Sequence, residues 1–220
     1  MSPLAWNLGP TRIVFSSVAD GEVREPVGRA AWLDRIGCPL PCSVPGQVHG
    51  AVIADADDGQ AELSQADGLV SRDPAKALGV FGADCPGLIV VAPDALGAAH
   101  CGWRGTAGGI VTALVAAMVR RSRHPPATWQ ALIGPGISGP RYEVDGPVLS
   151  ARQWPAAALT RTVADRAQLD LAAAIAVDCA AAGLTAITRS RVCTADDPRL
   201  HSYRHQGKRL VQLLAVWRVG

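Results

Sequence analysis

Three short stretches of the sequence place a histidine or a cysteine at the end of an apolar run, just before the chain turns. They are QVHG with His49, ADCPG with Cys85 and AHCGW with His100. In each stretch a glycine or a proline follows within two residues of the reactive side chain. Side chains at strand ends are where a sheet presents its chemistry. We therefore expect these three residues to reach a common site.

Two imidazoles and one thiolate are a good ligand set for Zn²⁺. Three protein ligands leave a fourth position open for water, which is typical of a catalytic rather than a structural site. The metal would lower the pKa of that water. The long separations of His49, Cys85 and His100 along the chain match no short zinc motif. The alternative is therefore that Cys85 is a buried thiol and that each histidine caps a local turn.

A thiol mechanism would use the same residues differently, with Cys85 or Cys101 as the nucleophile and His100 as its base. Neighbouring residues on a strand face opposite sides of the sheet. The side chain of Cys101 is therefore expected to point away from that of His100. This pattern counts against a dyad of these two neighbours.

Arg104 in GWRGT lies where a helix is expected to begin, and free backbone N–H groups at such a position favour an anion. An arginine there adds a bidentate donor for phosphate or carboxylate. The alternative is a surface arginine against Trp103. Two weaker candidates are the glycine-rich segment IGPGISGPRYEV (133–144) and the polar cluster HSYR (201–204). Asp84, beside Cys85, is either an outer partner or proton shuttle of the site or simply structural.

The elements that must position these residues alternate between strands and helices. Helical patterns cover 26–37, 106–123 with Thr106 as N-cap, and 170–183. Strands are expected within 11–21, 42–56, 77–85, 87–102, 129–138, 184–194 and 209–219, and a surface loop over 57–71 that leads into a short strand. Because hairpin-like pairs occur among the alternating elements, we expect an α/β (α+β) fold. The prediction is a single-domain sandwich of mixed β-sheet with flanking helices over residues 1–220.

Composition restricts the function further. The hydrophobic fraction of 49% against 18% charged residues excludes general disorder. The balance of 21 Lys+Arg against 19 Asp+Glu suggests neither a nucleic-acid nor a membrane-surface partner. No secretory signal or transmembrane run is recognisable, and the six cysteines are irregularly spaced. We expect a cytoplasmic monomer with free thiols, in which Cys38 and Cys42 form a CxxxC pair of unassigned role.

Taken together, QVHG, ADCPGLIVV, AAHCGWRGT, IGPGISGPRYEV and CT…HSYR…G occur in one order from about residue 45 to 217. This series resembles the purine nucleoside phosphorylase family with the laccase domain, also described as multicopper polyphenol oxidases or peptidoglycan editing factors. The chain departs from the usual pattern before QVHG, at Cys101 in place of alanine, and in SYRHQGKRL, which lacks the usual TGR.

The resemblance implies a compact α/β sandwich in which His49, Cys85 and His100 bind zinc, with copper as a possible alternative. It also implies purine nucleosides and phosphate as substrates. The activities would be phosphorolysis of adenosine, inosine, guanosine or methylthioadenosine, together with adenosine deamination. By the same analogy, Arg104 would bind phosphate or shape the pocket.

Rival functions remain at this point. A multicopper phenol oxidase needs more histidines than the five present. An amidase that edits a cell-wall precursor could use the same three residues. A binding module without catalysis would show no catalytic defect when His49 is replaced by alanine.

Overall fold

The structure, a computed structural model, describes residues 4–38, 41–58, 62–163, 165–207 and 210–219. Within these ranges the strands are β1 (Leu4–Leu8), β2 (Thr11–Phe15), β3 (Cys42–Pro45), β4 (Ile53–Asp55), β5 (Glu62–Leu63), β6 (Gly68–Ser71), β7 (Ala77–Gly82), β8 (Gly87–Ala92), β9 (Ala95–His100), β10 (Gln130–Ile133), β11 (Glu143–Val144), β12 (Leu159–Val163), β13 (Arg166–Leu169), β14 (Ala186–Arg189) and β15 (Gln212–Arg218). The helices are α1 (Pro26–Arg35), α2 (Trp103–Ala107), α3 (Ile110–Arg121), α4 (Gly146–Leu149), α5 (Leu171–Ala181) and α6 (Tyr203–Gln206).

Two mixed six-stranded sheets stack face to face. The first has the order β1-β2-β15-β7-β3-β5 and the second the order β14-β10-β8-β9-β6-β4. Antiparallel pairs fill the middle of each sheet, and parallel pairs lie toward the edges. Apolar side chains of both sheets meet between them, among them Ile13, Leu78, Leu214, Leu69, Ile89 and Leu132. The predicted mixed-sheet α/β sandwich is confirmed.

The central strands next to the candidate residues are fully buried. Every residue of β7, β8 and β9 is buried. Strands covered on both faces are continuous apolar runs rather than alternating ones, which explains the Ala, Val, Ile and Leu composition of 77–100. Cys85 follows β7, and His100 ends β9. Both residues are therefore held in position by fully buried strands.

Helices cover the outer faces of the two sheets. Trp32 and Leu33 of α1 pack on the first sheet. Residues of α3 and α5 pack on the second sheet, among them Ile110, Leu114, Met118, Ile175 and Cys179. No helix in the described ranges is both long and apolar enough to cross a membrane.

A third, smaller sheet has the order β11-β13-β12 and was not predicted. It packs with α4 and the first turns of α5 around a separate apolar cluster that includes Val144, Trp154, Leu169 and Leu171. Its strands have two to five residues. Strands this short carry too few alternations for a recognisable period.

The helix predicted over 106–123 is wrong in its first part. The structure has α2 and α3 instead, separated at Gly108 and Gly109, and Gly109 adopts a left-handed φ of 84°. Thr106 is not an N-cap but lies inside α2, where its hydroxyl donates to the carbonyl oxygen of Cys101 at 3.4 Å. Two successive glycines favour this break because glycine in a helix interior costs about 1 kcal/mol relative to alanine.

The surface loop predicted over 57–71 is also only partly correct. Residues 59–61 lie outside the described part of the chain. The short strand predicted after this loop is present as β6, whose four residues are all buried, but the segment also contains the unpredicted β5. Asp67, just before β6, has no exposed surface. The polar composition of this segment therefore reflects a buried carboxylate as well as solvent exposure.

Candidate metal centre

Three chain segments bring His49, Cys85 and His100 together. His49 lies in the loop between β3 and β4, Cys85 in the loop between β7 and β8, and His100 at the end of β9. One nitrogen of each histidine and Sγ of the cysteine all lie within 4.8 Å of one another. The two imidazole rings meet edge to face, with centroids 4.8 Å apart. His100 is buried, Cys85 half-buried and His49 exposed, so the cluster opens to solvent on one side.

The loop that carries His49 is fixed by a side chain as well as by its backbone. Gln47 and His49 both have left-handed φ values, of 58° and 63°. The Gln47 amide donates to the carbonyl oxygen of Phe81 at 2.9 Å and accepts from its N–H at 2.7 Å. This pair of bonds attaches the QVHG loop to β7, the strand that leads to Cys85.

Asp67 connects the same loop to His100. Its carboxylate accepts the backbone N–H groups of Val48, His49 and Gly50 at 3.0, 2.9 and 2.7 Å. It also lies 3.0 Å from Nδ1 of His100. Burial acts to raise the pKa of Asp67, but hydrogen bonds from His100 and Gly50 outweigh it and lower the pKa. The ionised carboxylate accepts a hydrogen bond from Nδ1–H, which leaves Nε2 of His100 for the cluster.

The sequence analysis missed Asp67. A carboxylate that orients a ligating histidine is common in metal sites. The only local signal was an acidic residue directly before a short strand, in ADGLVS. That signal is weak because Asp-Gly is also an ordinary turn sequence.

The thiol of Cys85 has the electrostatic environment of a ligand. Burial opposes its ionisation, but hydrogen bonds and charges from His100 and His49 lower its pKa to about 7. Thiolate is the form of cysteine that binds metals. Two imidazoles and one thiolate suit a borderline-soft divalent ion such as zinc. These donors therefore fit a single bound metal ion.

Cys101 occupies the opposite face, as predicted. It has no exposed surface and belongs to the apolar cluster under α3. Burial raises the pKa of its thiol well above the ordinary value. Only His100 of this neighbouring pair faces the cluster, so the two do not form a dyad.

Asp84 hydrogen-bonds to the C-terminal segment and is not one of the three clustered residues. Its φ of 85° is left-handed, and the residue is buried. One carboxylate oxygen accepts the Thr194 hydroxyl at 2.6 Å, and the other accepts the backbone N–H of Arg204 at 2.7 Å. These bonds hold the C-terminal segment against the loop of Cys85.

The remaining candidate residues include two arginines, each of which stacks on an aromatic ring near the cluster. The Arg104 guanidinium lies 4.2 Å from the ring centre of Trp103, and that of Arg204 lies 5.1 Å from the ring centre of Tyr142. Burial, together with the charge of Cys85, raises the pKa of Tyr142 to about 12. The positive charges of Arg204 and Arg104 act on the same phenol in the opposite direction. The segments GWRGT, IGPGISGPRYEV and HSYR therefore all reach the cluster's surroundings.

Gly102 provides a test of how closely the cluster is packed. A Cβ at this position would lie 3.1 Å from Sγ of Cys85 and 3.1 Å from Cδ2 of His49. Its φ of −66° suits any residue, so Gly102→Ala introduces a steric conflict without backbone strain. Shifting the two ligand side chains by a few tenths of an ångström is expected to lower metal affinity by about tenfold, the lower end of the range for disturbed ligand orientation. Competition with a chelator measures it, and Gly146→Ala, where the added carbon meets nothing within 4 Å, should bind metal normally.

Comparison with known proteins agrees with this architecture. A Neisseria meningitidis structure assigned to DUF152 superposes with a TM-score of 0.87 at 24% identity, covering 99% of each chain. YlmD of Geobacillus stearothermophilus superposes with a TM-score of 0.85 at 25% identity, covering 96% of this chain and 93% of that one. These likenesses establish the fold.

Sequence relatives carry a shared name. A protein of Deinococcus radiodurans named purine nucleoside phosphorylase is 35% identical over 175 residues, which is 77% of this chain and 67% of that protein. A similarly named protein of Streptomyces griseus is 32% identical over 195 residues, 84% of this chain and 76% of that protein. The family described as multi-copper polyphenol oxidoreductase laccase matches residues 17–218. The chain therefore belongs to this laccase-domain family.

Proposed function

We propose that the protein is a zinc-dependent enzyme that phosphorolyses purine nucleosides and deaminates adenosine. The observation that carries this proposal is the convergence of His49, Cys85 and His100 within 4.8 Å, open to solvent on one side. The names of the relatives support the substrate class. The proposed location is the cytoplasm, and the proposed working unit is one single-domain chain.

The three clustered residues would hold the metal. Zinc bound by three protein ligands keeps one coordination position open and supplies Lewis-acid chemistry there. Asp67 holds the ring of His100 with Nδ1 as the donor, so the same nitrogen always faces the cluster. The Gln47 bonds to Phe81 keep the His49 loop in position. These outer contacts preorganise the ligands before substrate arrives.

The two proposed reactions differ in what attacks the nucleoside. Phosphorolysis forms a bond from a phosphate oxygen to C1′ while the C1′–N9 bond breaks, and the purine leaves and takes up a proton. Deamination adds water at C6 and releases ammonia. Arg104 is exposed beside the cluster and is proposed to bind the phosphate. Only phosphorolysis requires bound phosphate.

Copper oxidase chemistry, which the family description names, is supported less well. A multicopper centre requires many histidine ligands. Within the described ranges His49, Cys85 and His100 form one group of three possible ligands, and His124 lies exposed just beyond the end of α3. This donor set favours a single ion.

Metal removal tests the proposal directly. Purified protein should contain about one zinc per chain. It should convert inosine to hypoxanthine only with phosphate present, and adenosine to inosine without it. Chelation should abolish both activities, and zinc should restore them better than copper.

Two results would count against this assignment. Bound zinc without turnover of any purine nucleoside would show that purine nucleosides are not the substrates. Release of an amino acid from a cell-wall precursor would then assign that precursor as the substrate. Full activity in metal-free protein would show that catalysis does not depend on a metal ion, and Cys85 would remain as the candidate nucleophile.

A further inference from the structure

Two arginines, Arg104 and Arg204, lie near the cluster. Among the side chains that the structure describes, no carboxylate lies within ion-pair distance of Arg104 or Arg204. The nearby Arg141, by contrast, pairs with Asp196 at 2.6 Å. An exposed guanidinium without a carboxylate partner is available for an anionic ligand.

Both arginines are held by aromatic rings on a common support. Arg104 stacks on Trp103 at 4.2 Å and Arg204 on Tyr142 at 5.1 Å. The two rings pack against the same apolar cluster, the one below the third sheet. Stacking on an aromatic face restricts a guanidinium while leaving its N–H donors open. The two cations are therefore preorganised.

The chain segments that carry Arg104 and Arg204 both contact the loop of Cys85. Gly102, two residues before Arg104, packs so closely on Cys85 Sγ that a Cβ would lie 3.1 Å away. The backbone N–H of Arg204 donates to Asp84, the residue before Cys85, at 2.7 Å. The two arginines thus approach the cluster from two separate parts of the chain.

The geometry points to a subsite in which Arg104 and Arg204 together bind one phosphate group beside the His49, Cys85 and His100 cluster. This inference rests on the proposed function, in which phosphate is a substrate, and adds Arg204 as a second ligand. A tetrahedral anion offers oxygens in several directions, so it can accept hydrogen bonds from two separated guanidinium groups. A planar carboxylate is satisfied by one guanidinium fork.

Tyr142 fits the same role. Its ring supports Arg204, and its phenol keeps its proton because burial raises its pKa to about 12. A protonated phenol donates a hydrogen bond to an anion and does not repel it. The ring of Tyr142 therefore supports one of the two cations, and its phenol adds no negative charge beside them.

The test compares Arg104→Gln and Arg204→Gln with Arg120→Gln, an exposed arginine near the end of α3. Each of the first two variants should raise the KM for inorganic phosphate by about tenfold to a hundredfold, the usual range for a lost charged hydrogen bond. Zinc content should stay at the wild-type level, since neither residue belongs to the cluster. Arg204→Lys should recover only part of the loss, because it keeps the charge without the fork. Arg120→Gln should match the wild type.

Calorimetry with zinc-loaded protein separates this inference from the proposed reaction. Arginine-dependent binding of inorganic phosphate without nucleoside turnover would support the subsite and refute the reaction. Arginine-dependent binding of ADP but not of inorganic phosphate would support the subsite and assign the phosphate to a nucleotide. Normal turnover with an unchanged KM for phosphate in both glutamine variants would overturn the subsite. So would the absence of binding of either probe to the wild type.

Discussion

Cys85→Ala is expected to abolish stoichiometric metal binding and to reduce nucleoside turnover to below about one hundredth of the wild-type rate. Loss of an outer partner of a metal ligand typically costs about 10–100-fold in affinity or activity. Loss of a ligand itself should exceed that, because the remaining histidines, His49 and His100, would have to hold the ion alone. Mass spectrometry of the purified variant and a product assay with inosine and phosphate measure the two effects.

Cys101→Ala is the matched control for this change. It removes a thiol that is fully buried in the core under α3 and does not reach the cluster. It should lower the free energy of unfolding by roughly 1 kcal/mol through a small cavity, and metal content should not change. Equal metal loss in both variants would contradict the assignment of the two thiols to opposite faces. Full metal content in Cys85→Ala would remove Cys85 from the ligand set.

The sequence predicted the central strands from local pattern, whereas local pattern only nominated His49, Cys85 and His100 and the family resemblance joined them into one ligand set. Strands β7, β8 and β9 are continuous apolar runs, and the alternation rule assigned His100 and Cys101 to opposite faces. The helix over 170–183 likewise has an Asp170 cap and ends before Gly183, whose φ is 92°. Signals confined to a few neighbouring residues were sufficient for these features.

The features that the sequence analysis missed depend on tertiary contacts. Asp67 acts on His49 and His100, which are distant in the chain, and nothing in ADG reveals these partners. The Asp84 bonds to Thr194 and Arg204 likewise join segments more than one hundred residues apart. The short third sheet depends on packing with α4 and α5 rather than on a period of its own.

Backbone strain is concentrated around the cluster. In the described ranges the non-glycine residues with positive φ are Gln47, His49 and Asp84. Such conformations cost of order 1–3 kcal/mol each and persist when surrounding contacts impose them. Here the contacts are the hydrogen bond that Phe81 donates to Gln47, the one that His49 donates to Asp67, and those that Asp84 accepts. A sequence containing glutamine, histidine and aspartate at these positions gives no warning of left-handed backbone.

Asp67→Asn is expected to weaken zinc binding by about 10–100-fold and to destabilise the metal-free protein by about 2–4 kcal/mol. One amide oxygen cannot replace a carboxylate that accepts three backbone N–H groups and the imidazole of His100. The amide N–H₂ would face donors, which leaves buried groups unsatisfied. The ring of His100 would lose the partner that fixes its tautomer. Chelator competition and denaturant unfolding measure the two effects separately.

Asp57→Asn controls for the general cost of removing a bonded carboxylate. Asp57 accepts the Ser71 hydroxyl, the Arg72 backbone N–H and the Arg121 guanidinium, all around the end of β6 opposite to Asp67. This change should also lower stability, but zinc affinity should remain at the wild-type value because no cluster residue is touched. Equal losses of zinc affinity in the two variants would mean that Asp67 acts only through stability. A loss confined to Asp67→Asn would show that its carboxylate orients the ligands, since both changes remove the same charge and leave the same amide.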